Sequence, residues 1–440
     1  MQNWMETVRK WRWLAVMVLL VLPGCASLPE YTAMRRFDAS PTPLQFAGQN
    51  GLLSHVRSEA ILRNLQKQGN SSLLDRHLAF MQAIDRNPPV TGNAVRLLID
   101  GPATYQAMFD AIAAARDHIN LESYILEEDR IGHEFAELLL RKQAQGVQVN
   151  LLYDSVGALR TSAMFFDKLR NAGINVCEFN PVNPLKGKLL ALNHRDHRKV
   201  LVVDGKTGFT GGINISRVYS SSFFRRQQQA DDQESWRDTH IEVRGPAVKE
   251  FQQLFLTTWN KQHCAALAHK AYFPPLKRQG DTIARIIGSS PDAPLNMIYL
   301  ELLSAISHAE RSIDITMAYF VPDRQMIDAI KQAARRGVDV KLLLPGFSDY
   351  MVTFYAGRSY YEEMLRAGVK IYERRDALLH AKTAVIDGLW STVGSSNMDL
   401  RSFLHNDEIN VVVLGINLAR QMQSMFEADV PVATHTDLAT

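Results

Sequence analysis

His197-Arg-Lys-Val-Leu-Val-Val-Asp204 and, far along the chain, His380-Ala-Lys-Thr-Ala-Val-Ile-Asp387 write one pattern twice: His, one residue, Lys, four residues, Asp. Each copy runs on into a small-residue turn ending in asparagine, Gly211-Gly212-Ile213-Asn214 in the first and Gly394-Ser395-Ser396-Asn397 in the second. The spacing from histidine to asparagine is identical in the two copies. A lone His-x-Lys pair on a strand is ordinary surface decoration. Two copies at fixed spacing inside a larger repeat point to one shared reaction centre.

Each motif reads as a β-strand. Alternate residues of a strand share a face, so His197 and Lys199 point the same way as Leu201 and Val203. His380 and Lys382 do the same with Ala384 and Ile386. Asp204 and Asp387 fall on the opposite parity at the strand end, which assigns them a structural role, a salt bridge or hydrogen bond, away from substrate. The glycines Gly211, Gly212 and Gly394 allow a tight turn that carries Asn214 and Asn397 back beside the histidines.

The repeat reaches beyond the motifs. The strand-like run Ile119 to Tyr124 matches Ile313 to Tyr319, and Gly146 to Leu152 matches Gly337 to Leu343. Ala172-Gly-Ile-Asn-Val matches Ala367-Gly-Val-Lys-Ile, and Tyr124 stands as far from Gly173 as Tyr319 from Gly368. Helical stretches alternate with short Val/Ile/Leu strands, which predicts an α/β fold in each half, the two copies packed face to face. The first half carries a longer loop before its motif, Pro181 to Asn193, and the halves divide in the turn-rich stretch from Pro274-Pro275 to Gly280. Upstream, Leu74, Leu78, Met81 and Ile84 recur at helical spacing within residues 52–86, which predicts one or two helices ended by Pro88 and Pro89.

Two histidines, two lysines and two asparagines suit a phosphodiester. Lysine ammonium and asparagine amide groups donate to phosphate oxygens, and fixed donors stabilise the charge that grows there during attack. One neutral imidazole can attack phosphorus to give a phosphohistidine. The other, protonated, can give a proton to the departing alkoxide and later remove one from the acceptor. This donor set fills the role of Mg²⁺, so neither a metal nor a cofactor is expected. His194 has no counterpart in the second half and reads as a loop residue.

These motifs resemble those of the phospholipase D superfamily, whose members carry two His-x-Lys-x4-Asp motifs with downstream Gly/Ser-rich turns ending in Asn. The resemblance covers residues 94–435 and implies two α/β domains in a pseudo-twofold pair with one active site at their interface. It also implies a carboxylate behind each histidine. Glu408 in Asn406-Asp-Glu-Ile-Asn matches in the second half; in the first, Asp238 in Trp236-Arg-Asp-Thr-His is the first choice and Glu242 the second. In two-half relatives the histidine of the N-terminal half often attacks, which makes His197 the nucleophile and His380 the acid/base.

Within the superfamily, the run from His194 through Asn214, the stretch from Trp236 to Val248 and Asn397-Met-Asp-Leu-Arg-Ser402 resemble bacterial cardiolipin synthases. The likeness implies phosphatidyl transfer between phospholipids, phosphatidylglycerol serving as donor and acceptor. A phospholipase D that hydrolyses phospholipids to phosphatidic acid is the alternative, and a nuclease-type phosphodiesterase a more distant one. A net charge of +3 gives no footing for nucleic acid as a partner, so phospholipids and a membrane surface are the expected partners. Two segments could meet lipid: Ser220 to Arg226, where Phe223 and Phe224 precede two arginines, and Tyr350 to Tyr355 continuing to Tyr360-Tyr361. The tyrosines would equally suit the core face of a helix.

The N-terminus carries the remaining signal. Arg9, Lys10 and Arg12 precede an apolar run, Trp13 to Leu22, too short to span a bilayer comfortably, which reads as a signal peptide. It ends in Leu22-Pro-Gly-Cys25, which resembles a lipoprotein lipobox, with Cys25 as the lipidated residue. The expected location is the bacterial cell envelope, anchored at the membrane through Cys25. The organisation is then a signal peptide over 1–25, a tether over 26–48, a helical segment over 49–93, and phospholipase D-like domains over 94–273 and 281–435. Cys177 is read as a buried thiol in a strand, so no disulfide framework is expected.

Overall fold

The computed structural model describes residues 28–31, 44–85, 87–182, 193–220 and 236–437. The signal peptide and Cys25, the segment with Phe223 and Phe224, and most of the loop from Pro181 to Asn193 lie outside the described residues.

Each half contributes seven main strands. The first has β1 (Val90–Ile99), β2 (His118–Ser123), β3 (Gln148–Asp154), β4 (Asn175–Phe179), β5 (Lys199–Val203), β6 (Thr207–Gly211) and β7 (Thr239–Arg244). The second has β8 (Thr282–Ser289), β9 (Ser312–Met317), β10 (Asp339–Pro345), β11 (Lys370–Arg374), β12 (Lys382–Ile386), β13 (Trp390–Gly394) and β14 (Asn406–Leu414). Strand neighbours run β4-β3-β2-β5-β6-β7-β1 in the first half, with only β4-β3 and β3-β2 parallel. The second half repeats that pattern strand for strand as β11-β10-β9-β12-β13-β14-β8. The antiparallel pair β1 and β8 joins the halves, with Asn93 opposite Thr282 and Val90 opposite Ala284.

Strand parity builds the cores. Leu201 and Val203 of β5 enter the core between the first sheet and its helices, whereas Val200 and Val202 face the second half. There they meet Val385, Val393, Ile409, Val411 and Val413, so the two halves share one apolar interior. At roughly 25 cal/mol per Å² of buried apolar area, such a seam makes the halves a single body. The helices His55–Gly69 and Leu73–Ile84 belong to the second half, where Leu74, Leu78 and Met81 join the core of Leu302, Ile306 and Ile313.

Asp204 and Asp387 play one local part in both halves. Each adopts the left-handed conformation, φ 53°, at the end of its motif strand. The Asp204 carboxylate accepts backbone N–H groups of Arg116, Asp117 and His118, fixing the entry to β2. Asp387 does so for Glu310, Arg311 and Ser312 before β9.

The described ends of the stretch expected as a tether pack on the body of the protein: Tyr31 lies edge-on to Phe80 at 5.0 Å, and buried Phe46 precedes Ala47, which pairs with Val90. One reading needs correction. Cys177, read as a buried thiol, instead bonds to Cys264, with Cα atoms 5.7 Å apart. Strand β4 is the outer edge of its sheet, so Cys177 is half-exposed where the chain leaves the helix Val248–Lys261. The bond closes a loop of 87 residues, and disulfides typically contribute about 2–4 kcal/mol to stability. Replacing both cysteines by serine is expected to lower unfolding stability by about that amount. Urea titration with and without reductant checks this, since reductant should shift only the wild type.

Among the described residues no helix is long and apolar enough to cross a membrane.

Candidate active site

The two motif strands start just beyond short parallel pairings that cross between the halves. Arg195 and Asp196 pair with Asn406 and Asp407, and the His197 N–H donates to the Asp407 carbonyl at 2.9 Å. In the same register Leu378 and Leu379 pair with Trp236 and Arg237, and the His380 N–H donates to the Arg237 carbonyl at 2.8 Å. The residue after each partner pair therefore arrives behind a histidine of the opposite half. Glu408 stands behind His197, with Nδ1 3.0 Å from both carboxylate oxygens. Asp238 stands behind His380, with Nδ1 2.7 Å from Oδ2. With Nδ1–H donated to a carboxylate, each ring presents Nε2 as its reactive atom.

Both rings open into one cavity of about 1000 Å³, which Asn214 and Asn397 also line. Asn214 is braced on both sides, donating from Nδ2 to the Tyr219 hydroxyl at 3.0 Å and accepting the Ile125 N–H at 3.1 Å. Asn397 Oδ1 is buried without a protein partner among the described residues. Lys199 donates from Nζ to the His197 carbonyl at 2.6 Å and lies over the Tyr124 ring. Lys382 donates to the His380 carbonyl, with Nζ 3.0 Å from His380 Nδ1. Tyr124 packs edge-on to His197, ring centres 4.9 Å apart, and Trp236 leans on His380 at 5.0 Å.

Burial sets the charge states. It pulls His197 down to about 4, against the opposing pull of Glu408, and drives His380 well below its ordinary range. Both imidazoles are neutral at pH 7 before an anion enters. Burial also brings Lys199 down to about 7 and Lys382 to about 8, while the nearby carboxylates resist. The two acids differ. Burial lifts Asp238 to about 6 despite Lys382. Glu408 also suffers burial, but the Lys199 charge and hydrogen bonds from His197 and Ser395 hold it below the usual carboxylate range.

The local sequence explains that difference. Ser395 Oγ donates to Glu408 Oε2 at 2.5 Å and Asn406 Nδ2 to Oε1 at 3.1 Å. The position matching Ser395 in the first turn is Gly212, where a Cβ would sit 2.2 Å from Asp238 Oδ1. Asp238 takes the Thr239 N–H at 2.7 Å instead. Glu242, the second choice, lies elsewhere and pairs with Arg96 and Arg244.

Two residues beside the motif gain a role that the sequence did not reveal. Arg198 is buried and spans the halves, donating to the Glu408 carbonyl at 3.0 Å, Thr258 Oγ1 at 2.7 Å and the Ser289 carbonyl at 2.8 Å. His194, read as a loop residue, meets Asp407 Oδ1 of the other half at 2.9 Å. A polar residue between His and Lys was the available signal for Arg198, yet strand parity alone does not say what it faces.

Comparison with known proteins agrees with this geometry. The model of the family described as "Cardiolipin synthase, PLD-like domain" matches residues 108–257 and 302–430, one match per half. The cardiolipin synthase of Geobacillus thermodenitrificans is 37% identical over 365 residues, 82% of this chain and 70% of that protein. The major cardiolipin synthase ClsA of Bacillus subtilis is 32% identical over 428 residues, 96% of this chain and 87% of that one. Among solved structures, a phosphatidylserine synthase of Haemophilus influenzae superposes with a TM-score of 0.55 at 14% identity, covering 78% of this chain and 87% of its own, a likeness of fold. With a family match in each half and relatives aligned along most of its length, the chain belongs to the phospholipase D superfamily, in the family of cardiolipin synthase PLD-like domains.

Proposed function

We propose that the protein makes cardiolipin by moving a phosphatidyl group from one phospholipid to the hydroxyl of another, phosphatidylglycerol being both donor and acceptor. The observation that carries this reading is the single cavity holding two histidines, each backed by a carboxylate from the opposite half. His197 Nε2 attacks phosphorus, and the bond to the glycerol oxygen breaks as the P–N bond forms. His380 gives that oxygen its proton. In the second step the acceptor hydroxyl loses its proton to His380 while its oxygen displaces His197. Lys199, Lys382, Asn214 and Asn397 donate to the phosphoryl oxygens throughout. His380 starts neutral, and the negative phosphodiester raises its basicity as it binds, so substrate and proton enter together.

The cavity mouth supports work at a membrane. Leu159 is 70% exposed, Tyr350 62% and Val352 85%, and all three line the cavity. The tyrosines divide: Tyr350 and Tyr355 face solvent, whereas Tyr361 is buried in the second core. Replacing Leu159 and Val352 together by glutamate is expected to weaken binding to phosphatidylglycerol vesicles on the order of tenfold or more, read by vesicle sedimentation. Export with anchoring through Cys25 is part of the same proposal, and the Cys177–Cys264 bond supports it because such bonds persist in oxidising compartments.

The test is purified protein with labelled phosphatidylglycerol vesicles. Cardiolipin with released glycerol is the expected product. Phosphatidic acid alone would make the protein a hydrolase, and no lipid turnover would sink the reading.

A further inference from the structure

The cavity is symmetric in its histidines and asymmetric in its walls. Beside His197, Tyr124 is governed by burial and the Asp154 charge, with Arg401 and Arg195 opposing them, and its hydroxyl makes no hydrogen bond to a cavity carboxylate among the described residues. Beside His380 the corresponding ring is Tyr319, with centres 6.2 Å apart, and its hydroxyl donates to Asp349 Oδ1 at 2.7 Å. Ser348 Oγ also reaches Asp349 Oδ1, at 3.3 Å. The other oxygen, Oδ2, accepts nothing among the described residues, and Asp349 is solvent-accessible on the cavity wall. Its negative charge is felt at both His380 and Lys382. The other two cavity carboxylates are half-buried, Glu127 accepting from the Ser216 hydroxyl through Oε2 and Asp399 capping the helix Leu400–Leu404 through Oδ1, so Asp349 is the exposed one of the three.

An in-line transfer puts the alcohol oxygen opposite the attacking nitrogen. With His197 attacking, the departing or arriving alcohol lies at His380, and its carbon chain extends toward Tyr319 and Asp349. We infer that Asp349 is a specificity-determining residue of a headgroup-alcohol subsite. That subsite takes alcohols bearing a second hydrogen-bond donor, a hydroxyl or a primary ammonium, close to the reacting oxygen. The inference rests on the transfer reading and on His197 as nucleophile. A free carboxylate oxygen accepts from a glycerol hydroxyl or from an ethanolamine N–H. Tyr319 and Tyr350, ring centres 5.8 Å apart, wall the carbon chain and favour a cation. A simple alkanol offers Asp349 no donor and leaves the carboxylate to water.

The experiment is a competition within one reaction. Unlabelled phosphatidylglycerol vesicles are given equal concentrations of isotope-labelled 1-propanol and either labelled glycerol or labelled 2-aminoethanol. The ratio of label entering each phosphatidyl product is read, which makes the otherwise degenerate exchange of glycerol visible. A general loss of turnover cancels in that ratio. The wild type is expected to favour both donor-bearing alcohols on the order of tenfold over 1-propanol, from one hydrogen bond to a charged group. Asp349→Ala should bring both ratios near unity, and Tyr319→Phe, which frees the carboxylate from its anchor, should lower them partway. Asp349→Asn separates the two ligand sources: its amide oxygen still accepts from glycerol, while 2-aminoethanol loses its counter-ion and its advantage. A wild type without preference, or an Asp349→Ala variant that keeps it, overturns the inference while leaving transfer intact. A wild type that forms no phosphatidyl product with any alcohol overturns the transfer reading, and the subsite falls with it.

Discussion

Alanine in place of His197 is expected to lower phosphatidyl transfer by at least about four orders of magnitude, because it removes the atom that carries the phosphatidyl group between the two steps. His380→Ala should cost nearly as much with a natural lipid, whose glyceryl oxygen is a poor leaving group without a proton. The two variants part company on a phosphatidyl ester of p-nitrophenol, which leaves without help. There His380→Ala should still release nitrophenolate in a first burst and stall at the phosphohistidine, trapped by acid-sensitive labelling of the protein. His197→Ala should give no burst and no label. Label appearing on His380 in the His197 variant would reverse the assignment.

The second large effect concerns the crossed acids. Glu408→Gln keeps size and hydrogen bonding but removes the charge that holds His197 Nδ1–H, and a glutamine can impose the wrong tautomer through its own N–H. A loss of about three to four orders of magnitude in kcat follows by analogy with other His–carboxylate pairs. Asp238→Asn should act on His380, with the smaller loss on the nitrophenyl ester. The pH profile carries the signature. In kcat/KM, which reports the free enzyme, the acid limb reflects proton uptake by Asp238, at about 6, and by His197, at about 4. The alkaline limb begins near 7 to 8, where Lys199 and Lys382 lose the charge that binds phosphate. Asp238→Asn should remove the component near 6. An unchanged acid limb in that variant would detach Asp238 from the chemistry.

Much of this was legible from the chain because the information is local. Strand parity put His197 and Lys199 on one face, and the repeat gave the α/β architecture that the family match and the strand order show. The crossing of Glu408 and Asp238 was not legible. It depends on the register of Asn406–Asp407 against Arg195–Asp196, a pairing between residues more than two hundred positions apart that no period in either segment encodes. The disulfide was missed for a related reason: a cysteine on an edge strand reads like one in a core strand until its neighbour is known. Asp349 escaped because it lies in an irregular connection after β10, where neither helical nor strand spacing constrains a side chain.

A symmetric assembly of two identical chains would be obliged to keep both of its half-sites the same. Here one covalent chain carries both, so each copy was free to drift on its own: a short acid opposite a long one, a glycine where its twin has serine, an arginine in the first motif where the second has alanine. Tandem duplication thereby turns a mirror into a division of labour. A gene fragment encoding either copy alone would supply a histidine without the acid that steers it.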